Sequence, residues 1–439
     1  MTPGAQVAAA IDILTAIDTG GRPADDVAAD YFRRRRYIGA KDRAQIAGHV
    51  YAVLRHRAAL DWWIGKHGVG IGPRSRVLAC LVLIEGWRPE VIAACCDADR
   101  FRPALLSQPE ERLVYGVATR TLRHPEMSRE VANDLPEWLE PYLDRVFGKG
   151  LEAEMAALNA SAPTDLRVNL LKSDRETARR ALALEGVPAD PTPLSPIGLR
   201  LRDRVPLGNL ATFKEGLVEV QDEGSQIAAL LADARPGMRV VDFCAGAGGK
   251  TLALAAGMAN RGKLVACEVS RRRLDRSARR LRRAGVGNVE RRGLTGERDK
   301  WVKHHKGSFE RVFVDVPCLG TGTWRRNPDA KWRCRPEDLA ELIERQQQIL
   351  RSAARLVRPG GRVIYATCSL LREEDEAQAE TFLAAEPDFS LLPVARAWSE
   401  TIGGASPGGE NYLRLTPARH GTDGFFVAIF ERQSCPTAS

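Results

Sequence analysis

Two thiols stand where two apolar runs end: Cys318 in Asp315-Val316-Pro317-Cys318-Leu319-Gly320-Thr321-Gly322 and Cys368 in Tyr365-Ala366-Thr367-Cys368-Ser369. A thiol can ionise to a strong nucleophile, ligate a metal, or pack as a small hydrophobe. Packing is the ordinary role of a lone cysteine at a strand end, and it is the reading for Cys80, Cys95, Cys96 and Cys267. A metal centre needs further Cys or His at ligand spacing, and the seven histidines are scattered. Cys318 and Cys368 are each flanked by loop-forming polar residues. If their strands share one parallel sheet, both thiols face a substrate at its carboxyl edge.

A ligand loop lies on the same predicted sheet, Asp242-Phe243-Cys244-Ala245-Gly246-Ala247-Gly248-Gly249-Lys250-Thr251. Its glycines allow a tight turn and close approach, and the helix that follows offers free N–H groups. A phosphate loop needs glycine where Cys244 stands, and a dinucleotide fingerprint needs one where Thr251 stands. S-adenosylmethionine suits the loop better, because its charged amino-acid end matches the carboxylate of Asp242 and the ammonium of Lys250. Glu268 follows Gly246 by 22 positions and closes the next apolar run. An acid there can accept both ribose hydroxyls, a feature that nucleotide sites share.

The elements that position these residues begin at about residue 221, where strands alternate with helices. Strands are predicted at Arg239–Phe243, Lys263–Glu268, Arg311–Val316 and Arg362–Thr367, with a weaker one at Asn288–Arg291. Pro336 to Val357 is a predicted helix, and Phe425–Phe430 a late antiparallel strand. The pattern predicts a doubly wound α/β sheet. Residues 1–140 read as helix after helix, with Ile46, Val50, Val53 and Leu54 on one stripe. Residues 141–220 read as a small α/β unit: a strand at Leu166–Leu171, a short helix from Arg175 to Gly186, then a proline-rich loop. The catalytic part is expected over 221–434.

Lysines and arginines number 65 against 56 acids, a formal charge of +9, which favours an anionic partner, nucleic acid first. The amino terminus lacks a basic n-region, no apolar run reaches the ~18 residues that span a bilayer, and nine cysteines form no repeated C-x-x-C pairs. A cytoplasmic monomer without disulfide framework, structural metal or membrane partner is the expectation.

Taken together, Asp315-Val316-Pro317-Cys318, Thr367-Cys368-Ser369, the Gly-Gly-Lys-Thr loop, Arg167-Val168-Asn169 and His420-Gly-Thr-Asp-Gly-Phe-Phe426 make the chain resemble the bacterial RNA cytosine-C5 methyltransferases of the RsmB/Nop/Sun group. The helical front resembles the NusB-like RNA-binding domain of the ribosomal-RNA member. The resemblance implies a Rossmann-like class I methyltransferase sheet, S-adenosylmethionine as cofactor and RNA, foremost 16S ribosomal RNA, as substrate. It makes Cys368 the nucleophile, Cys318 the thiol that helps release product, and Asp315 the acid on the cytosine edge. Cys244 to Lys250, Glu268, Arg273 and Asp315 become cofactor contacts. Two positions depart from the pattern: Gly246-Ala247 replaces Ala-Pro, and Leu294 stands where an acid usually touches adenine, with Glu297 nearby. Transfer RNA as substrate, and a catalytically weak assembly factor, are the competing readings.

A cytosine must leave its stack to be methylated, at a cost of a few kcal/mol. Arg325, Arg326 and Lys331, interleaved with Trp324 and Trp332, are candidates to offset that cost. Arg33-Arg34-Arg35-Arg36 in the helical front is the other RNA-binding candidate. The arginine-rich helix Ser270–Gly285 reads as a solvated outer face.

Overall fold

The computed structural model describes residues 1–434, which divide into two compact units. The first is helical and runs from Met1 to Ser161. Its first helix, Pro3–Gly20, begins with proline in the first turn and Thr2 capping the Ala5 N–H, and it stops at Gly21 with φ +58°. Val7, Ala10, Ile13, Leu14 and Ile17 form its buried stripe. The helix Ala40–Arg55 buries Ile46, Val50, Val53 and Leu54, as their spacing predicts. The unit extends past residue 140 because Glu140–Phe147 and Leu151–Asn159 are also helices whose apolar sides (Leu143, Leu151, Met155, Leu158) are buried, and Asn159 bonds the Asn133 carbonyl.

Residues Trp324–Cys334, far away in sequence, belong to this helical unit. Lys331 is wholly buried, its ammonium donating to the carbonyls of Arg55 and Asp134 and to Asn159 Oδ1 at 2.9, 2.8 and 2.6 Å. Trp332 Nε1 donates to the Leu54 carbonyl at 2.6 Å, and Asp329 accepts from the Ala24 N–H at 3.1 Å. This corrects the expectation for two RNA-binding candidates. Lys331 has spent all three donors inside the fold, and Arg325 is 5% exposed, so neither presents a charge to phosphate. Arg326 is half-buried.

The second unit holds two sheets. The smaller has four antiparallel strands, β1 (Asp165–Val168), β2 (Ala189–Pro191), β3 (Gly198–Leu201) and β4 (Val218–Val220), in the order β2-β3-β1-β4, with the helix Arg175–Leu184 against it. The larger takes β5 (Arg239–Asp242), β6 (Lys263–Glu268), β7 (Val289–Gly293), β8 (Phe309–Asp315), β9 (Val357–Thr367), β10 (Phe389–Leu392), β11 (Leu413–Leu415) and β12 (Phe425–Arg432). Its order is β10-β12-β9-β8-β5-β6-β7, with β11 paired to β12. β5 to β9 are mutually parallel, while β12 runs antiparallel to β9. The doubly wound sheet and its late antiparallel strand therefore match the reading of the sequence. Chain order reverses at β5, so ligands are expected at the carboxyl ends of β5, β6 and β8.

Candidate active site

β5 and β8 are neighbours, as are β8 and β9, with Asp315 in register with Ala366. This places the loop after Asp242, the Asp315–Cys318 turn and Cys368 along one edge. They line a single cavity of about 680 Å³, together with Glu268, Arg273 and Leu294.

Gly246 (φ +54°) and Gly248 (φ +83°) supply the left-handed backbone of the loop, and Gly248 opens the helix Gly249–Gly257. A Cβ on Gly248 would stand 3.0 Å from that of Ser277. Arg280 fixes the loop by donating to the Ala247 carbonyl at 2.8 Å. Glu268 accepts the N–H groups of Gly246 (2.9 Å) and Ser270 (2.8 Å), which aims its carboxylate at the loop.

Asp242 is fully buried; one oxygen accepts from Thr251 Oγ1 at 2.6 Å, and Oδ1 has no protein partner. Burial, with Asp315 and Glu268 nearby, pushes its pKa up to about 7. An orphan carboxylate oxygen on a cavity wall requires a donor, and the ammonium of an amino-acid ligand provides one. The residues present therefore fit S-adenosylmethionine, with Asp242 toward its amino group and Glu268 toward its ribose. A consequence follows for pH. Cofactor affinity should rise between about pH 6 and 8 as Asp242 ionises, with proton release on binding. Calorimetry in two buffers should detect that proton, and Asp242→Asn should weaken binding and flatten the profile.

Lys250 leaves the loop for a different partner, pairing with Asp315 at 2.6 Å, with its Nζ 5.2 Å from the Phe425 ring centre. Burial alone would lower its pKa, but Asp315 outweighs that and holds the ammonium charged. Lys250 thus stands between the cofactor loop and the thiols. Cys318 Sγ lies 3.4 Å from Cys368 Sγ, a non-bonded contact. The hydrogen bond to Cys368 and burial push the Cys318 thiol up, so Cys318 keeps its proton and can donate it toward Cys368. Among the described residues no third His, Cys, Asp or Glu joins them as a metal-ligand group.

Several supports were not foreseen. Glu374 is wholly buried, accepts the Leu319 N–H at 3.0 Å and Gln346 Nε2 at 2.9 Å, and so pins the Cys318 turn. Its pKa is raised by burial. The only sequence signal was a run of four acids, Glu373 to Glu376, six positions after β9 ends at Thr367. Gln221, Ser225, Arg345 and Ile349 also line the cavity without any motif to mark them. Leu294 is buried and forms part of the wall, with Glu297 beside it. Gly322 and Gly424 meet back to back: Gly424 N–H donates to the Gly322 carbonyl at 2.8 Å, and Gly322 N–H to that of Cys368 at 2.9 Å. A Cβ on Gly322 would lie 2.5 Å from Gly424 Cα, with backbone that cannot swing aside. Gly322→Ala should therefore cost about 1–3 kcal/mol in chemical denaturation, and reduce turnover through the displaced Cys368 loop.

Residues 229–431 match the family described as 16S rRNA methyltransferase RsmB/F, and residues 135–208 the ferredoxin-like domain of RsmF/B-like methyltransferases. Ribosomal RNA small subunit methyltransferase B of Erwinia tasmaniensis is 30% identical over 411 residues, covering 91% of this chain and 92% of that one. This chain belongs to the RsmB/F family. The Pasteurella multocida member is 33% identical over 368 residues, 81% of this chain and 80% of its own. The crystal structure of PH0851 superposes with a TM-score of 0.79 at 26% identity, covering 98% and 99% of the two chains. Like its family, the chain is an S-adenosylmethionine-dependent RNA methyltransferase. No helix among the described residues is long and apolar enough to cross a membrane.

Proposed function

We propose that this enzyme methylates 16S ribosomal RNA through a covalent adduct, with Cys368 as nucleophile and Cys318 as the group that frees the product. The observation that carries the reading is the 3.4 Å sulfur pair just past the carboxyl ends of two adjacent parallel strands, inside the cavity that Asp242, Lys250 and Asp315 line. Carbon 5 of cytosine is a poor nucleophile until a thiolate adds to carbon 6. The addition needs a thiolate; Lys250, held charged by Asp315, lines the same cavity as Cys368, and the Cys318 thiol lies in hydrogen-bond contact with the Cys368 sulfur.

Addition of Cys368 Sγ to carbon 6 breaks the 5,6 π bond, and the electron pair moves toward the N3 side of the ring. N3 takes up a proton from solvent there and returns it when the 5,6 double bond re-forms, and Asp315, steadied by Lys250, accepts the N3–H hydrogen bond in between. The bound cofactor supplies an electrophilic methyl group to carbon 5. Loss of the carbon 5 proton to a base then returns an electron pair to the 5,6 bond as carbon 6–sulfur cleaves, and Cys318 protonates the departing sulfur.

The RNA is held in part by the helical unit in this reading. Arg33, Arg34 and Arg36 are exposed around the end of the helix Ala24–Arg34, while Arg35 lies 3.7 Å over the Tyr31 ring. Arg326 is kept as a weaker contact. Transfer of tritium from labelled cofactor to total RNA, followed by bisulfite sequencing, tests the proposal. Label in one cytosine of 16S RNA is the expected result; label confined to transfer RNA, or none, would overturn it.

A further inference from the structure

The positive charge of this chain is concentrated in one place. Residues 271–298 contain eleven arginines against three acids, Asp275, Glu290 and Glu297, a net +8 of the chain's formal +9. They form the helix Arg271–Ala284 and the edge strand β7, which pack side by side in the second unit. The helix buries Leu274, Ser277 and Leu281 on one side. At 100° per residue, Arg272, Arg276 and Arg279 stand on the opposite side, and all three are exposed.

Arg280 and Arg283 have work within the fold, on the Ala247 carbonyl and on Glu219. No ion pair to Arg272, Arg276 or Arg279 occurs among the described residues, and across the helix face only Asp275 and Glu290 bring negative charge near. Arg291 takes the Asp275 carboxylate at 3.8 Å, and Lys263 takes Glu290 at 2.8 Å. Like charges three and four positions apart repel weakly, and an anion bound on this face relieves that repulsion. The face is solvated, as expected from the sequence.

We propose that the face formed by Arg272, Arg276 and Arg279, continued by Arg291 and Arg292 on β7, grips the phosphate backbone of the substrate RNA beside the target nucleotide. The proposal rests on the enzyme's action on RNA. The helix spans about 20 Å, enough for several consecutive phosphates. One of its arginines, Arg273, lines the reaction cavity, so the face adjoins that cavity. Guanidinium forks match phosphate oxygens in pairs. No aromatic residue occurs between 271 and 298 to stack on a base, so the grip reads backbone and is blind to sequence.

The test is the triple variant R272E/R276E/R279E, with R272Q/R276Q/R279Q as a milder companion. Binding of a 16S-derived RNA hairpin is followed by fluorescence anisotropy from 50 to 300 mM KCl. Loss of three phosphate contacts should make the slope of log affinity against log salt shallower by about three and weaken binding about tenfold or more at 100 mM. Cofactor affinity and melting temperature should stay at the wild-type values, and the glutamine variant should fall between. Unchanged slope and affinity in both variants, with wild-type RNA methylation intact, would remove this surface and leave the function standing. Unchanged RNA binding with lost capture on phosphatidylglycerol vesicles would assign the face to a membrane and overturn the proposal. A wild-type chain that binds no RNA would overturn both readings.

Discussion

Cys368→Ala should abolish methyl transfer, by on the order of 10⁴-fold or more, and leave no protein–RNA adduct. Without that sulfur nothing adds to carbon 6, and carbon 5 stays unreactive. Cys318→Ala should instead allow addition and methylation but impair release, so an adduct accumulates that survives denaturing electrophoresis. The two thiols are 3.4 Å apart and both half-buried, so exposure does not separate them. Their surroundings do. Cys318 holds its proton, raised by the contact with Cys368 and by burial, on a turn pinned through the Leu319 N–H by Glu374. Cys368 shares the cavity with Lys250, the half-buried cation paired to Asp315. The measurement is to mix each variant with substrate RNA and cofactor and look for a shifted band. A stable adduct from Cys368→Ala and none from Cys318→Ala would reverse the roles. No adduct or activity from either would sink the covalent route.

The parts of this site legible in the sequence are those whose chemistry is local. The Gly246–Lys250 loop, the acid closing β6 and the two strand-end cysteines are each marked by residue type within a few positions of a strand. Period-two and period-3.6 patterns then suffice to bring them to one edge. What was hidden depends on contacts between distant segments. Lys250 was read as a cofactor contact, and its pairing with Asp315, 65 positions away, became visible only in three dimensions. Glu374 looked like one acid in a charged loop, yet it is buried beneath Leu319. Lys331 and Arg325 failed for a related reason. A basic, tryptophan-rich segment beside a catalytic strand has the composition of an RNA contact, and composition does not say which way it folds. The same limit set the helical boundary at 140, because pattern alone does not show that Leu143, Met155 and Leu158 close onto the helices before them.

Deleting residues 1–161 should leave a chain that is largely insoluble, although every residue lining the reaction cavity lies beyond the deletion. The cause is the segment Trp324–Cys334, which belongs to the deleted unit. Lys331 would lose three oxygen partners, Trp332 the Leu54 carbonyl and Asp329 the Ala24 N–H. The side chains of Trp324, now 1% exposed, and Trp332 would then sit on an eleven-residue loop that starts directly after the catalytic turn. Exposing two such rings forfeits roughly 5 kcal/mol or more of burial and creates a sticky apolar patch. Replacing 324–334 by a Gly/Ser linker of equal length in the deleted chain should restore solubility and cofactor binding to within about threefold. It should not restore RNA methylation, because the arginines at 33–36 are gone. Solubility, cofactor calorimetry and tritium transfer separate these effects. If the deletion with its native segment is soluble and binds cofactor like the whole chain, the segment is not an integral part of the helical unit. In that case a dispensable front, as the boundary at 140 implied, would be the better description.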